Sequence, residues 1–296
     1  MRYLLLLLVV AGGVVGCSGE ASEPEGPLRV ATSLPPHGWL IERVAGEGVE
    51  VVVTLPGGSS PATYQPTDRQ VSALMRCGLY FRAGVPFERG GWFQAIQMGS
   101  GLDVVDLRDG IVLRAMGDHG HHDHEGHEGH DHGADDPHTW LSPANLIVQA
   151  ERIRDELAGM DPAGAEGYRQ RCSVLTAELR ALDSELAAML EPVRGRSFFV
   201  FHPSWGYFAD RYGLEQVAIE IGGKDPTDRE LTELQQLARS KGIGVVYVQP
   251  QISGRSAEAV ASAIGGEVAV LDPLVPEVVA NLRSVATALT EGLKNE

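Results

Sequence analysis

Past its first seventeen residues, this sequence has no apolar run long enough to cross a bilayer. That excludes a body built of membrane-spanning helices. Cysteine is scarce, with three in 296 residues, which excludes a small disulfide-stapled scaffold. Positive charge is also short: 24 Lys and Arg face 40 Asp and Glu, for a net charge of −16. Nucleic acid is therefore not an expected partner. There is no HExxH helix and no nucleophile elbow, so two common hydrolase signatures are missing. What remains is ordinary globular composition, 43% hydrophobic and 22% charged, enough for one large or two modest domains.

The chain opens with a targeting segment, residues 1–17. Arg2 gives a positive start and Leu4 to Val15 an apolar run too short for a comfortable span. The run closes on Val14-Val15-Gly16-Cys17, which resembles the lipobox of bacterial lipoproteins and predicts a lipid on Cys17. Residues 18–27 (SGEASEPEGP) then read as a flexible tether. The expected mature form is a soluble monomer, lipid-anchored outside the cytoplasmic membrane, in the periplasm or on the cell surface. The remaining cysteines, Cys77 and Cys172, are expected as buried free thiols.

One stretch has no match elsewhere in the chain. Seven of the ten histidines, His119, His121, His122, His124, His127, His130 and His132, crowd between residues 119 and 132 with Asp, Glu and Gly between them. No apolar residue interrupts this stretch between Met116 and Ala134, so it cannot contribute to a core. Residues 117–135 are expected to be a solvated loop that captures metal loosely, since imidazole suits zinc, copper, nickel and cobalt. His138 differs from these seven. It lies in Asp136-Pro137-His138-Thr139-Trp140-Leu141-Ser142-Pro143, ahead of a helix start, on a backbone that can hold a ligand in place.

On either side of this loop, strands and helices alternate at the spacing of a parallel sheet. Strands are predicted at 28–32, 49–55, 78–82 and 103–107, then at 197–201, 214–219, 245–248 and 268–271. Between the two sets, Pro162 to Leu190 carries apolar residues at helical spacing: Val174, Leu175, Leu179, Leu182, Leu186, Met189 and Leu190. This helix is longer than a crossover needs and reads as a rigid strut. The predicted fold is α/β: two lobes, each a mostly parallel sheet flanked by helices, with a metal site in the cleft between them. Residues 28–160 form the first lobe, 161–191 the linking helix and 192–296 the second lobe.

Ligands of open α/β sheets gather at the carboxyl ends of strands. His37 follows the first strand, His202 follows SFFVF, and Asp272 follows VAVL; His138 precedes a helix of the first lobe. Together they would make a three-nitrogen, one-oxygen tetrahedral set suited to zinc.

These motifs carry a resemblance. Asp136-Pro137-His138-Thr139-Trp140-Leu141 looks like the DPHxW segment of the zinc/manganese solute-binding lipoproteins of bacterial ABC importers. His202-Pro203-Ser204-Trp205-Gly206-Tyr207-Phe208 with Tyr212-Gly213-Leu214 resembles their HxxxGYF…YGL segment, and Asp272 the acid after their last strand. The resemblance implies a transported Zn2+ or Mn2+, a partner permease and its ATPase, and no catalysis. The His-rich loop favours zinc. One position departs: Pro61-Ala62-Thr63-Tyr64-Gln65-Pro66 has Ala62 where the family carries its first histidine, so that ligand is absent, replaced by water or moved, with His37 the expected substitute. The rival readings are a manganese receptor, a zinc-dependent hydrolase using Glu220 or Asp225, and an adhesin or metal buffer without a transporter.

Overall fold

A computed structural model describes residues 27–99, 101–116, 135–220, 224–251 and 254–294. Cys17, the tether through residue 26 and the seven clustered histidines lie outside the described residues.

The first sheet contains β1 (Leu28–Thr32), β2 (Val49–Val53), β3 (Leu79–Arg82) and β4 (Asp103–Asp106), in the order β2-β1-β3-β4. The second contains β5 (Ser197–Val200), β6 (Glu215–Ala218), β7 (Val245–Val248) and β8 (Glu267–Val270), in the order β6-β5-β7-β8. Every pairing in both sheets is parallel. The same strand order thus occurs twice. Helices α1 (Pro35–Ala45), α2 (Asp68–Leu74), α3 (Gly91–Gly99) and α4 (Pro143–Met160) accompany the first sheet. After α5 (Ala165–Leu190), helices α6 (Gly206–Tyr212), α7 (Asp228–Lys241), α8 (Gly254–Ile264) and α9 (Val278–Lys294) accompany the second.

At 1.5 Å per residue the 26 residues of α5 run for about 39 Å. Tyr168, Cys172, Leu175, Leu179, Leu182, Leu186 and Leu190 form its buried stripe, at three- and four-residue steps. Val174 stands one residue off that stripe and is exposed, contrary to its place in the predicted apolar face. The stripe belongs to one continuous core with residues of both lobes, such as Val30, Phe81, Phe198 and Leu282. Each fully buried leucine there contributes about 1.5–3 kcal/mol, so α5 fastens the two lobes as well as spanning them.

Helix α1 begins at Pro35, two residues before His37, because Pro35 and Pro36 supply the fixed φ of a first turn and no orphan N–H. Cys77 and Cys172 are free and buried, and Cys77 precedes β3 without joining it. No described helix is long and apolar enough to cross a membrane.

Candidate metal centre

The second sheet places the first donor. β5 ends at Val200, and residues 201–205 intervene before α6 begins. Within this loop His202 turns toward the cleft, and its Nδ1 pairs with Glu220 Oε1 at 2.5 Å. Glu220 lies just past β6, at the same end of the sheet. The first lobe supplies His138. Asp136 Oδ1 accepts from the His138 backbone N–H at 3.0 Å and pairs with its Nδ1 at 2.8 Å. The two imidazoles meet with ring centroids 5.3 Å apart and planes at 71°.

Each ring has its Nδ1 occupied by a carboxylate. An ionised carboxylate can only accept, so the proton sits on Nδ1 and the Nε2 lone pair is left for a metal. Burial drives the His138 pKa below its ordinary value, although Asp136 pulls the other way. Burial alone would raise the Asp136 pKa; bonds from His138 and Arg114 outweigh it and hold the carboxyl below the usual range. A neutral imidazole beside an ionised carboxylate is the protonation state that metal ligation requires.

The rings share a cavity of about 250 Å³, walled by Trp140, Gln249, Gln251 and, at the place of the missing histidine, Ala62. Met116 and Asp135, which flank the segment beyond the described residues, stand on the same wall.

The other two expected donors lie elsewhere. His37 is completely buried in α1, edge-on to Trp140 at 5.6 Å, and is not part of the cavity wall. Neither of its ring nitrogens has a hydrogen-bond partner among the described residues. This corrects the assignment of His37 as substitute ligand: the early start of α1 turns it into the core. Asp272 faces an adjoining cavity of about 170 Å³ that shares Gln251 and Leu274 with the first. Its Oδ1 accepts from Gln251 Nε2 at 3.0 Å and from the Leu274 N–H at 2.9 Å. Among the described residues, no group of three or more His, Cys, Asp or Glu is gathered to hold a metal ion. Thus the structure joins two of the four expected donors, puts the third next door and removes the fourth.

Sequence reasoning missed the roles of Asp136 and Glu220 as partners of the imidazoles. The i, i+2 spacing of Asp-Pro-His was a usable signal for the first. For the second, the signal was an acid one residue past the strand that neighbours SFFVF.

Two parallel α/β lobes, one long helix and carboxylate-backed imidazoles in the cleft define the class: a two-lobed metal-binding protein. Over residues 30–292 the chain matches the family described as ZnuA, the periplasmic component A of a zinc-uptake complex, and it belongs to that family. It is 34% identical to a protein solved as ZnuA, with a TM-score of 0.81 over 90% of this chain and 99% of that one. A putative metal-binding protein of Chlamydia muridarum is 27% identical over 97% of this chain and 99% of its own length. The zinc-binding lipoprotein AdcA of Streptococcus pneumoniae is 30% identical over 92% of this chain, which spans 54% of that relative. Members of this family are binding components of uptake systems, not enzymes, and act outside the cytoplasm.

Proposed function

We propose that this chain captures Zn(II) outside the cytoplasm and hands it to an ABC permease driven by its ATPase. The observation that carries the reading is the pair of imidazoles, one from each lobe, each with Nδ1 held by a carboxylate and Nε2 free. Two imidazole donors favour zinc over manganese, which prefers oxygen. Asp272 joins them when it leaves Gln251 and turns from the adjoining cavity, supplying an oxygen donor. Ala62 leaves a position that water can fill. The seven histidines of residues 119–132 act as a weaker collector, and a lipid on Cys17 keeps the protein at the membrane as a monomer. Because protons compete with a metal for imidazole nitrogen, zinc affinity is expected to fall at acid pH.

The test is metal analysis of the purified chain after dialysis against zinc and manganese together. One tightly held zinc per chain is the expected result, reduced to none in the His138→Ala, His202→Ala double variant. Manganese retained in preference to zinc, or stoichiometry unchanged in the double variant, overturns the proposal.

A further inference from the structure

His138 is not aimed by its own lobe alone. Asp136, wholly buried, uses one carboxylate oxygen for His138 and the other for Arg114, whose Nη1 donates to Oδ2 at 3.0 Å. The same guanidinium reaches across to the second lobe, where its Nε donates to Asp210 Oδ2 on α6 at 2.9 Å. It also stands over the Tyr207 ring, 5.9 Å from the centroid. The Tyr207 hydroxyl completes the junction: it accepts from the Arg114 N–H at 3.2 Å and donates to the Asp136 carbonyl at 3.0 Å. Arg114 is not part of the cavity wall, so any effect it has on a bound ion passes through Asp136.

Gly206 shows how closely this junction is built. A Cβ at that position would lie 1.5 Å from Arg114 Nη1 and 2.9 Å from Asp136 Oδ2. Even alanine would push the guanidinium off its carboxylate. The start of α6 therefore has no side chain where Arg114 crosses to the second lobe.

We infer that Arg114 is a positioning residue that ties the seating of α6 to the aim of His138. With α6 docked, Asp210 and Tyr207 hold Arg114, Arg114 holds Asp136, and Asp136 keeps the His138 Nδ1–H fixed so that Nε2 faces the cavity. Displacing α6, as a docking permease could do by pulling on the second lobe, frees Arg114, loosens Asp136 and weakens the grip on the metal. Binding and release are then governed by one cross-lobe ion pair, at no cost to the ligands themselves. This inference rests on the reading of the cavity as a zinc site.

The test is zinc release from the loaded full chain into excess chelator, followed by stopped flow, with the unfolding midpoint of each metal-free variant measured alongside. Partners behind a metal-bound histidine typically alter affinity about 10- to 100-fold. Arg114→Met is expected to release zinc about tenfold faster or more, Gly206→Ala to match it, and Arg114→Lys to fall between them and the wild type. Asp210→Asn is expected to speed release about threefold, and to add nothing when combined with Arg114→Met, because it acts through that side chain. A merely structural role would lower the unfolding midpoint and leave the release rate unchanged; that outcome overturns the inference. So does an Asp210→Asn effect that persists undiminished in the double variant. If Arg114→Met fails to fold, Gly206→Ala and Asp210→Asn decide. A wild-type chain that takes up no zinc overturns the metal reading and this inference with it. A wild-type chain that holds zinc, with every variant releasing at its rate, overturns this inference alone.

Discussion

His37 and His202 occupy matching places in the two lobes and have opposite fates. Each follows the strand that occupies the second position of its sheet, β1 in the first and β5 in the second. After β1 only residues 33–34 precede α1, so His37 falls in the first turn of that helix and is driven into the core. After β5 the chain runs through residues 201–205 before α6, and His202 turns to the cleft and finds Glu220. The same residue type at the same topological address becomes a packing residue or lines the cavity according to how soon a helix begins. The carboxyl end of a strand is a good place to look for a site, and the length of the connection decides whether a side chain there can reach it.

The comparison can be broken most directly by zinc affinity. Zinc sites release on the order of 10–16 kcal/mol over four donors, so one donor is worth roughly 3 kcal/mol, or about 100-fold in Kd. His202→Ala is expected to weaken zinc binding by at least about 100-fold. His37→Leu, which removes a side chain outside the cavity wall that meets the wall only through Trp140, is expected to change Kd by less than about threefold. Competition titration with a zinc chelator reads both. Equal losses in the two variants would show that the two histidines are alike in function and that the difference drawn from their connections is mistaken.

Acid stability sharpens the same contrast. Burial, partly offset by the neighbouring Gln149, lowers the His37 pKa from 6.5 to about 4. The unfolded chain therefore takes up this proton before the folded one does, and stability is lost as pH falls from about 6.5 to about 4. A gap of that size corresponds to roughly 3 kcal/mol at the acid end of the window. Above pH 6.5 the ring is neutral in both states and contributes no pH dependence. Urea unfolding of the metal-free chain at pH 7 and pH 4 should show a loss about 3 kcal/mol larger in the wild type than in His37→Leu. Parallel losses would mean that His37 is charged or solvated in the folded protein.

Much of this architecture could be read before any coordinates. The eight strands and the long helix follow from apolar periodicity, and Asp136-Pro137-His138 marks the first-lobe imidazole that lines the cavity. The errors share a cause. The position of His37 just after the first strand suggests a ligand, whereas the Pro35-Pro36 pair opens α1 and carries it inward. Asp272 was placed correctly at the end of β8, but the direction of its carboxylate is set by Gln251, twenty-one residues away in the chain. Arg114 carries no signal in the sequence, because its meaning lies in Asp136 and Asp210, which the fold alone brings to it. Periodicity and local spacing report what neighbouring residues do; they carry little about which way a polar side chain turns once distant segments meet.

The smallest expected effect concerns a feature the two lobes share. In each, the helix after the sheet's first-position strand opens on a capping box: Thr67 with Gln70 on α2, and Thr227 with Glu230 on α7. The threonine hydroxyl accepts from the N–H three residues on, and the side chain there accepts from the threonine N–H. Thr→Ala at either position leaves helix N–H groups without that acceptor and should cost about 1 kcal/mol. Both boxes are solvent-exposed and water replaces part of what is lost, which keeps the penalty small. The carboxylate of Glu230 also favours the positive end of α7, an attraction the amide of Gln70 cannot give α2. That attraction survives removal of the threonine, so the two substitutions should cost the same to within about 0.5 kcal/mol, with zinc affinity unchanged in both. Chemical unfolding of Thr67→Ala and Thr227→Ala measures the pair. A loss confined to one lobe would show that the two lobes do not rely on their capping boxes alike.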